Sequence, residues 1–183
     1  MKIFFALLIL FAPLCQLSVA VEKDPAKKET QKIRRSFTLA VLPDTQFYCD
    51  TRLKLSSKWG NGDLRRYFFD QTQWVKDNHK RLNIAFLVHE GDIVQADAPE
   101  EWAIAKEAMS ILDGHVPYCL CLGNHDMGFQ KSNNKYGGDI AVNRTTHFNK
   151  YFPREKFAKT KEFGGTFDPK RHDNSWYHFN AAG

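Results

Sequence analysis

The chain has 183 residues, 43% of them apolar and 14% aromatic, enough to bury the core of about one domain. That composition excludes a disordered or fibrous chain. The formal net charge of +5 is a mild excess, with Lys and Arg concentrated over 23–35 and 154–171; it reads as a solvated arm and a solvated loop, and indicates no nucleic-acid partner.

Residues 1–20 open with Lys2, run apolar over 3–14 and end in Ser18-Val19-Ala20, a small-x-small cleavage pattern. They are expected to be a removed secretory signal, leaving a secreted or periplasmic protein with no membrane contact after cleavage. The apolar run is shorter than the roughly 20 residues that span a bilayer. Bulky Leu14 before Cys15 argues against a lipoprotein signal. Cleavage removes Lys2 and no acid, so the charge falls by one, and Cys49, Cys119 and Cys121 remain. An odd count argues against a disulfide-built fold, and two cysteines two apart on a strand pair awkwardly with each other.

Residues 21–36, polar and charge-rich around Pro25, read as a linker to a folded domain over 37–183. Within it, 37–42 is a nearly all-apolar run suited to a strand covered on both faces. Apolar residues at Leu64, Tyr67, Phe68, Trp74, Val75 and Leu82 predict an amphipathic helix over 63–82, stopped by Asn83. A second buried strand follows over 84–88. The next helix, 99–112, is expected to open with a capping box from Asp97 and Glu100 and to close at Gly114. A third strand covers 116–122. Strand, helix, strand, helix, strand is the rhythm of an α/β layer with parallel strands. Beyond it, 145–151 suits a short helix, Gly164-Gly165 a turn, and 175–180 a strand entering a second sheet.

Each apolar strand ends at its carboxyl side in possible metal ligands: Asp44-Thr45-Gln46, then Gly91-Asp92, then Gly123-Asn124-His125-Asp126. In an open parallel sheet ligands gather outside the carboxyl ends of the strands, so three such clusters predict one shared site. Carboxylates, amide oxygens and imidazoles suit a hard or borderline divalent cation. A lone Asp after a strand is more often a cap. Gly-Asn-His-Asp after a buried strand, preceded by Gly-Asp and Asp-x-Gln, is far more specific.

With these motifs the chain resembles the calcineurin-like metallophosphoesterases, whose first three motifs are usually Asp-x-His, Gly-Asp and Gly-Asn-His-Asp/Glu. The resemblance covers 37–126 well and the remainder loosely. It implies an α/β fold, a metallophosphoesterase-like β-sandwich flanked by helices, of which only the N-terminal half is present. It implies two divalent ions (Mn, Fe, Mg or Zn) bridged by Asp92 and a water or hydroxide, with Asp44 and Gln46 on one ion and Asn124 on the other. His125 is then the catalytic group near the leaving oxygen, and Asp126 orients the loop. The substrate is a phosphorylated small molecule or a phosphodiester.

Two positions depart from the family pattern. Gln46 stands in place of the usual histidine, and its amide oxygen shifts preference from Zn²⁺ toward Mg²⁺, Mn²⁺ or Fe. Gln95 stands where many members carry an Asp that supports the catalytic histidine. The family's later ligands, a histidine and then Gly-His-x-His, have no match here, so the chain is expected to be incomplete, and inactive by itself. His172 and His178 are poor substitutes, one in a basic loop-like stretch and one on an ordinary strand. His89 and Glu90 adjoin the site or cap the turn, and His79 is expected to be solvated. Phe47, Tyr48 and Trp59 are candidates for a pocket rim. Asn143-Arg144-Thr145 fits a glycosylation sequon, a pattern frequent by chance. Two other readings stay open: a degenerate relative that binds a phosphorylated or glycan ligand without cleaving it, and a metal-free exported adhesion domain.

Overall fold

The computed structural model describes residues 36–51, 63–128 and 145–181; the signal segment, nearly all of the linker, Trp59 and Asn143 lie outside them. Strands β1 (Thr38–Leu42), β2 (Ile84–His89) and β3 (Tyr118–Leu120) form a parallel sheet in that order. Helix α1 (Gln46–Cys49) follows β1, α2 (Arg65–Leu82) precedes β2, and α3 (Pro99–Ser110) joins β2 to β3. After them come α4 (Thr146–Tyr151), α5 (Arg154–Phe157) and an antiparallel pair, β4 (Phe163–Thr166) with β5 (Ser175–Tyr177). The expected α/β class and strand-helix alternation are what the described residues form.

Side-chain alternation along the strands divides the core. His89 turns to the face that carries α2, its ring 5.9 Å from that of Phe68. Phe86 turns to the other face, stacked 5.1 Å from Phe179. Leu39 shares that second face and stays 43% exposed, because Phe179 and Tyr177 reach Phe86 but leave the edge strand partly open. Cover on both faces of β1, expected from its composition, is thus only partial.

Register matters more than strand count. Leu42 lies opposite His89, and His89 opposite Leu120, so the three strands end level and their loops leave from one rim. Helix α2 stops where the sequence suggests: Asn83 takes a left-handed conformation (φ 51°) and its N–H bonds the His79 and Lys80 carbonyls. The capping box at α3 does not form. Ala98 is the N-cap without a side-chain bond, and the Asp97 carboxylate accepts from Trp102 Nε1 at 2.8 Å instead. Gly164-Gly165, expected as a turn, lies inside β4, where a Cβ on Gly164 would fall 2.1 Å from the Trp176 ring. The glycine there lets an indole lie against the strand.

His172 lies in irregular backbone, as expected, but is buried. Its sequence neighbours are basic, yet the ring is 1% exposed, 4.0 Å from the Phe157 ring, with Nε2 2.6 Å from the Tyr177 hydroxyl. Burial lowers its pKa to about 4. A histidine whose folded pKa lies below the unfolded value near 6.5 loses stability as pH falls through that window, since only the unfolded chain then binds the proton. The His172→Phe variant is therefore expected to lose less unfolding free energy than wild type between pH 6.5 and 4, the difference reaching about 3 kcal/mol and showing as a shallower fall in melting temperature. Parallel acid limbs in thermal melts would contradict this.

Candidate metal centre

The site is assembled by hydrogen bonds that join the three rim loops. Thr45, fully buried, sits between Asp44 and Gln46 and donates its N–H to the Asp92 carbonyl at 3.2 Å. Its hydroxyl lies 3.0 Å from both the Ile93 carbonyl and His89 Nε2. The proton positions follow from the partners. Gly91 N–H donates to His89 Nδ1 at 3.2 Å, so Nδ1 is the bare nitrogen and Nε2–H donates to Thr45 Oγ1, which passes its own proton to Ile93 O. Burial lowers the His89 pKa to about 3, so the ring stays neutral. The sequence marks His89 only as a neighbour of the site or a turn cap, and Thr45 only as the middle of Asp44-Thr45-Gln46, without the bond between them. The available sign was a histidine at the buried end of an apolar strand, immediately before Gly-Asp.

The second and third loops meet through carboxylates. Asp92, in a left-handed conformation (φ 46°), accepts the His125 N–H on Oδ1 at 3.1 Å. Gly123 makes this approach possible, because a Cβ there would lie 2.0 Å from Asp92 Oδ1. Asp126, fully buried, accepts Val94 N–H at 3.0 Å and Gly123 N–H at 2.9 Å. Burial pushes its carboxyl up to about 7, with the Asp92 charge adding to the shift and the Val94, Gly123 and Ile93 N–H groups opposing it. Asp126 thus ties the loop after β3 to the loop after β2.

His125 Nδ1 lies 2.9 Å from the Gln95 carbonyl. A carbonyl only accepts, so Nδ1 carries a proton and Nε2 is the nitrogen left for exchange. Position 95 thus supports His125 through its backbone, which no side chain at that position predicts. Asp44 and Asn124 are exposed, on the rim beside Thr45 and His125. Phe47 is 55% exposed and Tyr48 half-buried 5.9 Å from Tyr67.

The residues fit an oxygen-seeking cation. Gln46 Oε1 and Gln95 Oε1 are buried without a hydrogen-bond partner, a state costly for an amide unless some other group engages it. Among the described residues no group of three or more His, Cys, Asp or Glu side chains is placed to hold a metal ion; what Asp44, Gln46, Asp92 and Asn124 offer at the rim is carboxylate and amide oxygen, donors that Mg²⁺ or Mn²⁺ accepts. A cleft of about 480 Å³ lined by Asn83, Ala85, Pro117, Glu162 and His178 lies elsewhere, where β2 and β3 begin, and contains none of these groups.

The fold is an α/β domain whose parallel strands end level, with three loops on one rim. The family of calcineurin-like phosphoesterases matches residues 37–181, and the chain belongs to that family. It is 34% identical over 137 residues to the uncharacterized protein YvnB of Bacillus subtilis (strain 168), covering 74% of this chain and 9% of that one. Among solved structures it is similar to the purple acid phosphatase PPD1 from yellow lupin (Lupinus luteus) seeds, with 17% identity, a TM-score of 0.40, and coverage of 62% of this chain and 19% of that one.

The knot at Thr45 is open to test. Thr45→Val removes both hydroxyl bonds while keeping volume, and is expected to cost about 1–3 kcal/mol in thermal or denaturant unfolding, with Thr45→Ser close to wild type. Equal stability of Val and wild type would remove Thr45 from this role.

Proposed function

We propose that this protein hydrolyses phosphoric esters with two divalent cations at the rim, held by Asp44, Gln46, Asp92 and Asn124. The observation that carries the reading is the bond from His125 N–H to Asp92 Oδ1, which locks the loop after β3 onto the carboxylate after β2. When bound, the cations supply Lewis-acid activation of water and of the phosphoryl oxygens. The chain's own contribution is placement. Asp92 is fixed by the His125 amide and packed against Gly123, so its carboxylate needs little reorganisation. His125, with Nδ1–H engaged by the Gln95 carbonyl, would act in its imidazolium form, giving the Nε2 proton to the departing oxygen as general acid and leaving the neutral Nδ1–H ring. Asp126 fixes the loop that carries both Asn124 and His125.

The substrate class is a phosphomonoester or phosphodiester, on the strength of the family. Export through a cleaved signal over 1–20 belongs to the same proposal, supported by the Lys2, apolar run and Ser18-Val19-Ala20 pattern. A second reading, a relative that binds a phosphorylated or glycan ligand without cleaving it, is favoured by the amides at 46 and 95. Metal analysis separates the two, since fewer than one ion per chain with ligand still bound supports the second.

With Mn²⁺ present, the full-length protein that carries this domain is expected to turn over p-nitrophenyl phosphate or bis(p-nitrophenyl) phosphate, and its Asp92→Asn variant to lose that activity. His125→Ala is expected to lower kcat by roughly 10²- to 10⁴-fold. Absence of turnover with every divalent ion tried would overturn the hydrolytic reading.

A further inference from the structure

The acceptor for His125 is a backbone carbonyl, so something must hold that peptide in place. Three elements do. Gln95 N–H and Ala96 N–H donate to Glu101 Oε2 at 3.0 and 2.7 Å, from the first turn of α3. Trp102 Nε1 donates to Asp97 Oδ1 at 2.8 Å. His147, fifty positions away on α4, places Nδ1 2.8 Å from the Asp97 carbonyl and 3.2 Å from Asp97 Oδ1. Both oxygens only accept, so Nδ1 carries the proton and one N–H is shared between them.

Asp97 is itself in the left-handed region (φ 51°), a conformation that residues other than Gly adopt only in certain contexts and that persists here where the surroundings over-determine it. Its carboxylate is buried and its carbonyl is engaged from another helix. Releasing His147 removes the donor to the Asp97 carbonyl and one of the restraints on its left-handed φ, and a shift there is passed to the peptide two residues back, whose carbonyl faces His125. Small displacements of such an acceptor matter because catalytic geometry tolerates little error.

We propose that His147 is a positioning residue: through Asp97 it holds the Gln95 carbonyl against His125 Nδ1, so that Nε2 faces the ester's departing oxygen. The inference rests on the phosphoesterase reading for its functional consequence, but its geometric part stands on its own. It also explains why Gln95 needs no carboxylate, since the backbone supplies the acceptor and α4 supplies the restraint.

Leaving-group dependence distinguishes this role from a merely structural one. Phenyl phosphate, a poor leaving group, needs the proton from His125 far more than p-nitrophenyl phosphate does. In His147→Leu, kcat on phenyl phosphate is expected to fall roughly tenfold or more with KM unchanged, while kcat on p-nitrophenyl phosphate falls less than about threefold. His147→Asn, whose Nδ2 sits near the position of Nδ1, is expected to recover most of the loss. Trp102→Phe, which removes the other donor to Asp97, is expected to show the same split should the Leu variant fold poorly. Unchanged rates, or equal losses on both esters, would overturn the proposal. If wild type turns over neither ester, the phosphoesterase reading is what fails, and imidazole ¹⁵N NMR then decides the positioning claim. His125 is expected to be the Nδ1–H tautomer in wild type and a mixture in His147→Leu; an identical tautomer in both would refute it.

Discussion

A neutral imidazole buried at the end of the central strand holds the site together. His89 accepts from Gly91, donates to Thr45, and through Thr45 reaches Ile93, so one ring links the loop after β1 to the loop after β2. The arrangement depends on the ring remaining uncharged. Protonating Nδ1 would turn the acceptor for Gly91 N–H into a donor facing a donor, in a place where no water screens the charge. Asp44 and Gln46 flank Thr45, and Asp92 follows Gly91, so the proposed ligands take their positions from this link.

The carboxylates around it divide the work. Asp126 is wholly buried, spends its oxygens on backbone N–H groups, and acts on the loop instead of on a ligand. Asp92 is only partly buried, in a strained backbone conformation, with one oxygen on the His125 amide. Strain of that kind concentrates at working sites because ordinary packing has no use for it.

Much of this was legible in the chain. Apolar runs of strand length, each closed by polar residues with glycine nearby, gave the parallel layer and the three loops that leave it from one rim. The left-handed stop at Asn83 was readable because Asn tolerates that conformation. What escaped was every interaction decided by tertiary packing. Asp97 and Glu100 have capping-box spacing, but Trp102 takes the Asp97 carboxylate. His172 has basic neighbours in sequence and aromatic ones in space. The support for His125 comes from a carbonyl, which every residue possesses, so the identity of Gln95 carried no sign of it.

Calorimetric titration with Mn²⁺ tests the central claim most directly, because it reads the cation site without requiring a substrate. Wild-type protein is expected to bind the ion with measurable heat, and Asp92→Asn, folded to the same melting temperature, to lose most of that binding. Indistinguishable titrations for the two proteins would contradict the account.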